Sequence, residues 1–172
     1  MATAKPTVVA DIEVNKDYFL LGLMNTETQN VRQFEMFDDQ PLAVDAIANI
    51  LQRYRIVTFN GNHYDVPILS AALKGLGCQK LKDISNKIID QNLKHWEIGI
   101  DMVRCDHVDI FDVAPGMASL KIYGGRLHCP KLQDLPIEHT ASISPGERDL
   151  LKTYNVNDLS TTLSLFQKLT PQ

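Results

Sequence analysis

The chain is poor in cysteine and has no long uncharged apolar run. Its three cysteines, Cys78, Cys105 and Cys129, form no CxxC pair, which argues against a disulfide framework and against the usual zinc spacings. Cys105-Asp106-His107 with His128-Cys129 has the residue types of a metal cluster without its spacing, so ordinary buried thiols are expected there. No stretch is apolar enough to cross a bilayer. The start, MATAKPTVVADIEV, has no basic region followed by a continuous apolar segment and a cleavage site, so the expectation is a cytoplasmic protein with no membrane partner. Positive charge is not in excess either. The net charge of −4 and pI near 5.7 do not suggest a broad surface for gripping nucleic acid. Either the partner is not nucleic acid, or the acids serve metal ions.

What is present is an ordinary globular composition, 44% hydrophobic and 22% charged over 172 residues. That length suits a single domain, 1–172, which would bury about 70% of its unfolded surface. TVVADIEV (residues 7–14) reads as a central strand, and YFLLGLMN and VRQFEMF follow as two more, making a meander. PLAVDAIANILQRYR carries apolar residues at helical spacing, with Pro41 at a helix-start position, and leads into a strand over 56–59. VPILSAALKGLG predicts a helix stopped by Gly75 and Gly77. A helix is expected over 81–96, an extended segment over 97–105 and a strand in HVDIFDV. Ser119 is a candidate cap for a short helix, LKIYGGRL. SPGERDLLKTYNVNDLSTTLSLFQKL is the clearest helix, with Ser144 three residues before Glu147 in a capping-box arrangement. Three antiparallel strands, a crossover helix, further strands and flanking helices describe an α/β fold, a ribonuclease H-like mixed five-stranded sheet flanked by helices.

The acids sit at chosen places in this layout. Asp11 and Glu13 are two apart in a strand, so both leave one face of the sheet among the apolar residues Val8, Val9, Ile12 and Val14. Two like charges there are costly unless solvent or a cation compensates them. Asp65 stands at a strand-to-helix junction, where it could serve simply as an N-cap. Tyr154 and Asp158 are four apart in the last helix and share a face.

DIE (Asp11, Glu13), NGNHYD (Asn60, Tyr64, Asp65) and YNVND (Tyr154, Asp158), in that order, resemble the three motifs of the DEDDy 3′–5′ proofreading exonuclease domains of DNA polymerases. The second motif is most similar to phage and family-B-like enzymes. HVDIFDV followed by ASLKIYGGRL also looks like the segment such exonucleases carry between motifs two and three. The related DEDDh class would have histidine where Thr153 stands.

The resemblance implies a metal-dependent hydrolase that removes terminal nucleotides from single-stranded or frayed DNA 3′ ends, with proofreading as its role and a DNA polymerase domain or subunit as a partner. It implies two Mg²⁺ or Mn²⁺ ions per site, held by Asp11, Glu13, Asp65 and Asp158. By motif position Asp11 would bridge both ions, Glu13 and Asp158 would hold the nucleophile-side one, and Asp65 would act through water on the other. Tyr154 would orient the attacking water, and Asn60, Ile12 and Tyr64 would contact the terminal nucleotide, although core packing accounts equally well for Ile12 and Tyr64. His63 reads as a solvated loop residue, with a substrate contact as the alternative, His107 and Asp109 as a buried hydrogen-bonded pair or a border of the site, and Lys80, Lys82, Lys87 and Lys94 as a solvated face, with guidance of the strand's phosphates as the alternative. A DEDDy ribonuclease trimming RNA 3′ ends would use the same carboxylates. An inactive ribonuclease H-like binding module would not need all four acids and the tyrosine.

Overall fold

The computed structural model describes residues 5–131 and 133–170. Five strands form one sheet in the order β3-β2-β1-β4-β5. The strands β1 (Thr7–Asn15), β2 (Tyr18–Asn25) and β3 (Val31–Phe37) are the antiparallel meander. Helix α1 (Val44–Arg53) crosses over to β4 (Arg55–Thr58), which runs parallel to β1 and to β5 (Asp106–Asp109). Between β4 and β5 come α2 (Asp65–Leu73), α3 (Cys78–Gln91) and the short α4 (His95–Ile98). After β5 follow α5 (Leu120–Arg126) and the long α6 (Pro145–Leu169). This is the expected mixed sheet with helices on both faces.

Both faces of β1 and β2 are covered, which is why β2 reads as an almost unbroken apolar run, buried from Tyr18 to Met24. On one face Val8, Ala10, Ile12 and Val14 join Phe19, Leu21 and Leu23 under Ile47, Ile68, Leu81 and Ile88 of α1, α2 and α3. The opposite face is covered by α6. There Val9, Met24 and Val57 pack on Leu159 and Leu163, and Tyr18 and Leu20 pack on Ile143 and Leu151.

Several boundaries differ from the sequence reading, each for a local reason. Helix α1 begins at Val44, not at Pro41, because Leu42 is buried and its carbonyl is taken by the Val44 amide before the helix starts. Gly75 ends α2 with φ +93°, whereas Gly77 belongs to the next element, as the residue preceding α3. The helix expected over 81–96 is two helices, because Asn92 adopts a left-handed backbone (φ 52°) and caps α3. Of the extended segment expected over 97–105, Glu97 and Ile98 belong to α4 and Gly99 caps it with a left-handed backbone, while residues 100–105 join no sheet and Val103 spends its amide on Ser70 Oγ at 2.9 Å. The HVDIFDV strand stops at Asp109, whose side chain accepts the Phe111 amide at 3.0 Å and turns the chain into a 3₁₀ turn over Ile110–Asp112. Ser119 does cap α5, and Ser144 with Glu147 forms the capping box of α6. No helix among the described residues is long and apolar enough to cross a membrane.

Candidate metal and nuclease site

Strand β1 and helix α6 bring the first and third motifs together. Alternation along β1 sends Asp11 and Glu13 to the α6 face, and α6 crosses that face with Leu151, Asn155, Leu159 and Leu163 buried four residues apart. Tyr154 and Asp158 flank this stripe on the side that opens into a cleft. Carboxylate oxygens of Asp11, Glu13 and Asp158 all lie within 4.8 Å of one another.

Asn155 secures the meeting point. Its Nδ2 donates to Asp11 Oδ2 at 2.9 Å and to the Asp11 carbonyl at 3.2 Å. Its Oδ1 accepts from Gln33 Nε2 at 3.1 Å, and Gln33 is itself tied to the Lys152 carbonyl at 2.9 Å. Room for this fully buried amide comes from Gly22, the register partner of Asp11 on β2. A Cβ at Gly22 would stand 1.8 Å from Asn155 Oδ1. Sequence reasoning missed Asn155 and Gln33. A glycine inside the apolar strand LLGLM was the available signal, since such a glycine marks a close approach by another group.

The second motif lies on the loop from β4 to α2. Asp109 at the end of β5 accepts the backbone amides of Asn60 and Asn62, both at 2.8 Å, and Asn60 holds a left-handed backbone with φ 61°. Thr58 Oγ1 and His107 Nε2 are hydrogen-bonded at 2.7 Å. His107 and Asp109 are therefore not each other's partners as expected; each fastens the loop separately. Gly61 packs against Thr58, with no space for a side chain. Asp65 is the first residue of α2 and is buried, and its Oδ1 accepts the Ile12 amide at 3.1 Å, beyond the point where β1 stops pairing with β4. It is thus tied to the acidic strand as well as to its own helix start.

The cluster is electrostatically unsatisfied by itself. Burial raises the Asp11 carboxyl well above its usual range, and the negative charges of Glu13, Asp65 and Asp158 raise it further, against the pull of Asn155. Burial, then Asp158, pushes Glu13 up to about 8. Burial pushes Asp65 up to about 7 against the lowering effect of the amides it accepts. It pushes Asp158 up to about 6, where the neighbouring Tyr154 phenol favours the charged form. Tyr154 itself is shifted upward by burial and by these carboxylates, so it keeps its proton at any working pH.

These groups line a cleft of about 620 Å³, together with Ile12, Phe59, Asn60, His63, Tyr64 and residues of α3 and the segment before α6. The Tyr64 hydroxyl is hydrogen-bonded to Ser85 Oγ at 2.8 Å, and its ring packs against the apolar core, so Tyr64 serves the core as well as the cleft wall. Ile12 also belongs to that core. His63 is half-buried at the cleft wall, not a solvated loop residue. Lys82, read from the sequence as part of a solvated face, is buried and lines the cleft, whereas Lys80 and Lys87 on the same helix are exposed. Among the described residues the acidic trio is the one metal-capable cluster, and the cysteine and histidine residues around 105–107 and 128–129 form none.

An all-oxygen donor set with surplus negative charge fits hard divalent cations, which would offset the burial and repulsion that raise these carboxyls. The family model of the RNase_H superfamily matches residues 10–170, a span that holds all three motifs. No curated protein matches the chain.

Proposed function

The chain belongs to the RNase_H superfamily, whose members point to nuclease activity in general, and on that premise we propose that it is a 3′–5′ exonuclease of the DEDDy type acting on single-stranded or frayed DNA ends. The observation that carries this reading is the placement of the Tyr154 phenol beside Asp158 at the mouth of the Asp11, Glu13 and Asp158 trio. Asp11, Glu13 and Asp158, with Asp65 behind them, would hold Mg²⁺ or Mn²⁺. When bound, such ions supply hydroxide at neutral pH and neutralise the charge that develops on the phosphate.

The protein's own groups do the rest. Tyr154, permanently protonated, cannot act as a base and instead donates a hydrogen bond that aims the attacking water. Asn155 holds the Asp11 carboxylate in one orientation, and Asp109 fixes the loop that presents Asn60. Asn60 and the faces of Ile12 and Tyr64 bound the space for a terminal nucleotide. A proofreading role follows if the last nucleotide must leave its duplex to enter this cleft.

The test is digestion of 5′-labelled single-stranded DNA and matching RNA with Mg²⁺, Mn²⁺ or EDTA, and of duplexes with matched or mismatched 3′ ends. Stepwise shortening of DNA from the 3′ end, abolished by EDTA and faster at mismatches, is the expected result. Preference for RNA would move the substrate to RNA 3′ ends, equal rates at matched and mismatched termini would count against proofreading, and internal cleavage would remove the exonuclease reading.

A further inference from the structure

One cation in the cleft has no task in the scheme above. Lys82 is 4% exposed, on the α3 wall formed also by Ser85, Ile89 and Asn92. Among the described residues it makes no ion pair or hydrogen bond, and burial pulls its ammonium below the usual lysine range against the opposing charge of Asp90. Ser85 is already bonded to Tyr64. Among the described residues that line the cleft, Lys82 is the one lysine or arginine, beside a space otherwise bordered by four carboxylates. Packing covers its aliphatic stem and leaves the ammonium unpaired but not sealed from solvent, open to an anion that enters the cleft.

We propose that Lys82 forms a second subsite of this cleft, a phosphate seat that receives a backbone phosphodiester of the single strand upstream of the nucleotide held at Asp11, Glu13 and Asp158. This rests on the nuclease reading above. A chain with net charge −4 offers no broad basic surface, so one buried lysine sets the strand's register by charge while reading no sequence.

The test is single-turnover hydrolysis in Mn²⁺ of single-stranded DNA carrying one neutral methylphosphonate at successive upstream linkages, by wild type, Lys82→Gln and Lys82→Arg. Wild type is expected to lose about tenfold at one upstream linkage, the worth of a charge-assisted hydrogen bond. Lys82→Gln should lose a similar factor on the unmodified strand and nothing more at that linkage, with a salt slope lower by about 0.7. Lys82→Arg should recover most of the loss. A Lys82→Gln variant that matches wild type in rate and salt slope, or losses that simply multiply, would overturn the subsite while leaving the nuclease intact. If Lys82→Gln fails to fold, the wild-type scan still decides, because no sensitive upstream linkage means no seat. Absence of hydrolysis of every strand by wild type sinks the nuclease reading and the subsite with it.

Discussion

On the sheet face under α1, α2 and α3, Val8, Ala10, Ile12 and Val14 of β1 meet Phe19, Leu21 and Leu23 of β2 in one continuous apolar cluster. On the face under α6, the alternate residues of the same two strands are Val9, Asp11 and Glu13 against Tyr18, Leu20, Gly22 and Met24. There the apolar residues fall into two patches, Val9 with Met24, Val57 and Leu159, and Tyr18 with Leu20 and Leu151. Between the patches runs a polar seam of Asp11, Glu13, Asn155 and Gln33. One face is given to stability and the other gives up part of its packing to hold charge. The same strands serve both because their side chains alternate.

Substitutions that respect this division should separate activity from folding. Asp158→Ala is expected to cost about 10³-fold or more in single-turnover hydrolysis, the loss typical of removing a principal electrostatic group, with the fold retained. Near-normal turnover would detach α6 from the site. On the other face, Leu21→Ala removes a side chain that is 1% exposed and should cost about 2–5 kcal/mol in denaturant unfolding. The molecules that remain folded should keep metal-dependent turnover. Loss of turnover per folded molecule would mean that the two faces are not independent.

Gly22→Ala probes the seam itself. The added methyl would displace Asn155 and, through it, the Asp11 carboxylate, so hydrolysis should fall on the order of 10²-fold as expected of a small misplacement. Unchanged activity would show that Asp11 does not depend on Asn155. Tyr154→Phe deletes one hydrogen bond and leaves every carboxylate in place. A loss of about 10- to 10²-fold in a Mn²⁺ titration, with metal affinity little changed, is expected of a group that aims water. Activity equal to wild type would reduce Tyr154 to packing.

The fold and the acidic residues were both open to reading from the chain. The meander, the crossover and the capping box of α6 announce themselves by alternation, helical spacing and Ser144 with Glu147. Asp11, Glu13, Asp65 and Asp158 are conspicuous as acids set among apolar neighbours. What escaped were residues whose role depends on a distant partner. Asn155 looks like one of two asparagines in a polar-looking stretch until β2 is laid beneath it, with Gly22 in register with Asp11. Lys82 looks like one of several lysines on a solvated helix until the fold turns that side of α3 into the cleft. Boundaries failed where a single backbone angle or side-chain cap overrode the apolar pattern, as at Asn92 and Asp109.

The central claim is that the seam under α6 is built for divalent cations and is under electrostatic stress without them. Asp11, Glu13, Asp65 and Asp158 all have native carboxyls raised above their unfolded values near pH 4. The native state then binds more protons than the unfolded chain as pH rises from about 4 to about 8, so stability is greatest at the acid end of that window and declines across it. The direct measurement is the melting temperature across this range, in EDTA and in Mn²⁺, for wild type and for Asp11→Asn with Glu13→Gln. Each kcal/mol moves the melting temperature by about 2–4 °C in a chain of this size. In EDTA the wild type should lose several degrees between pH 5 and pH 8, Mn²⁺ should restore them at pH 8 with little effect at pH 5, and the double variant should have a shallower profile, since Asp65 and Asp158 stay raised by burial, and should ignore the metal. A wild-type profile that is flat or rises with pH in EDTA, or that Mn²⁺ leaves unmoved at pH 8, would contradict the account.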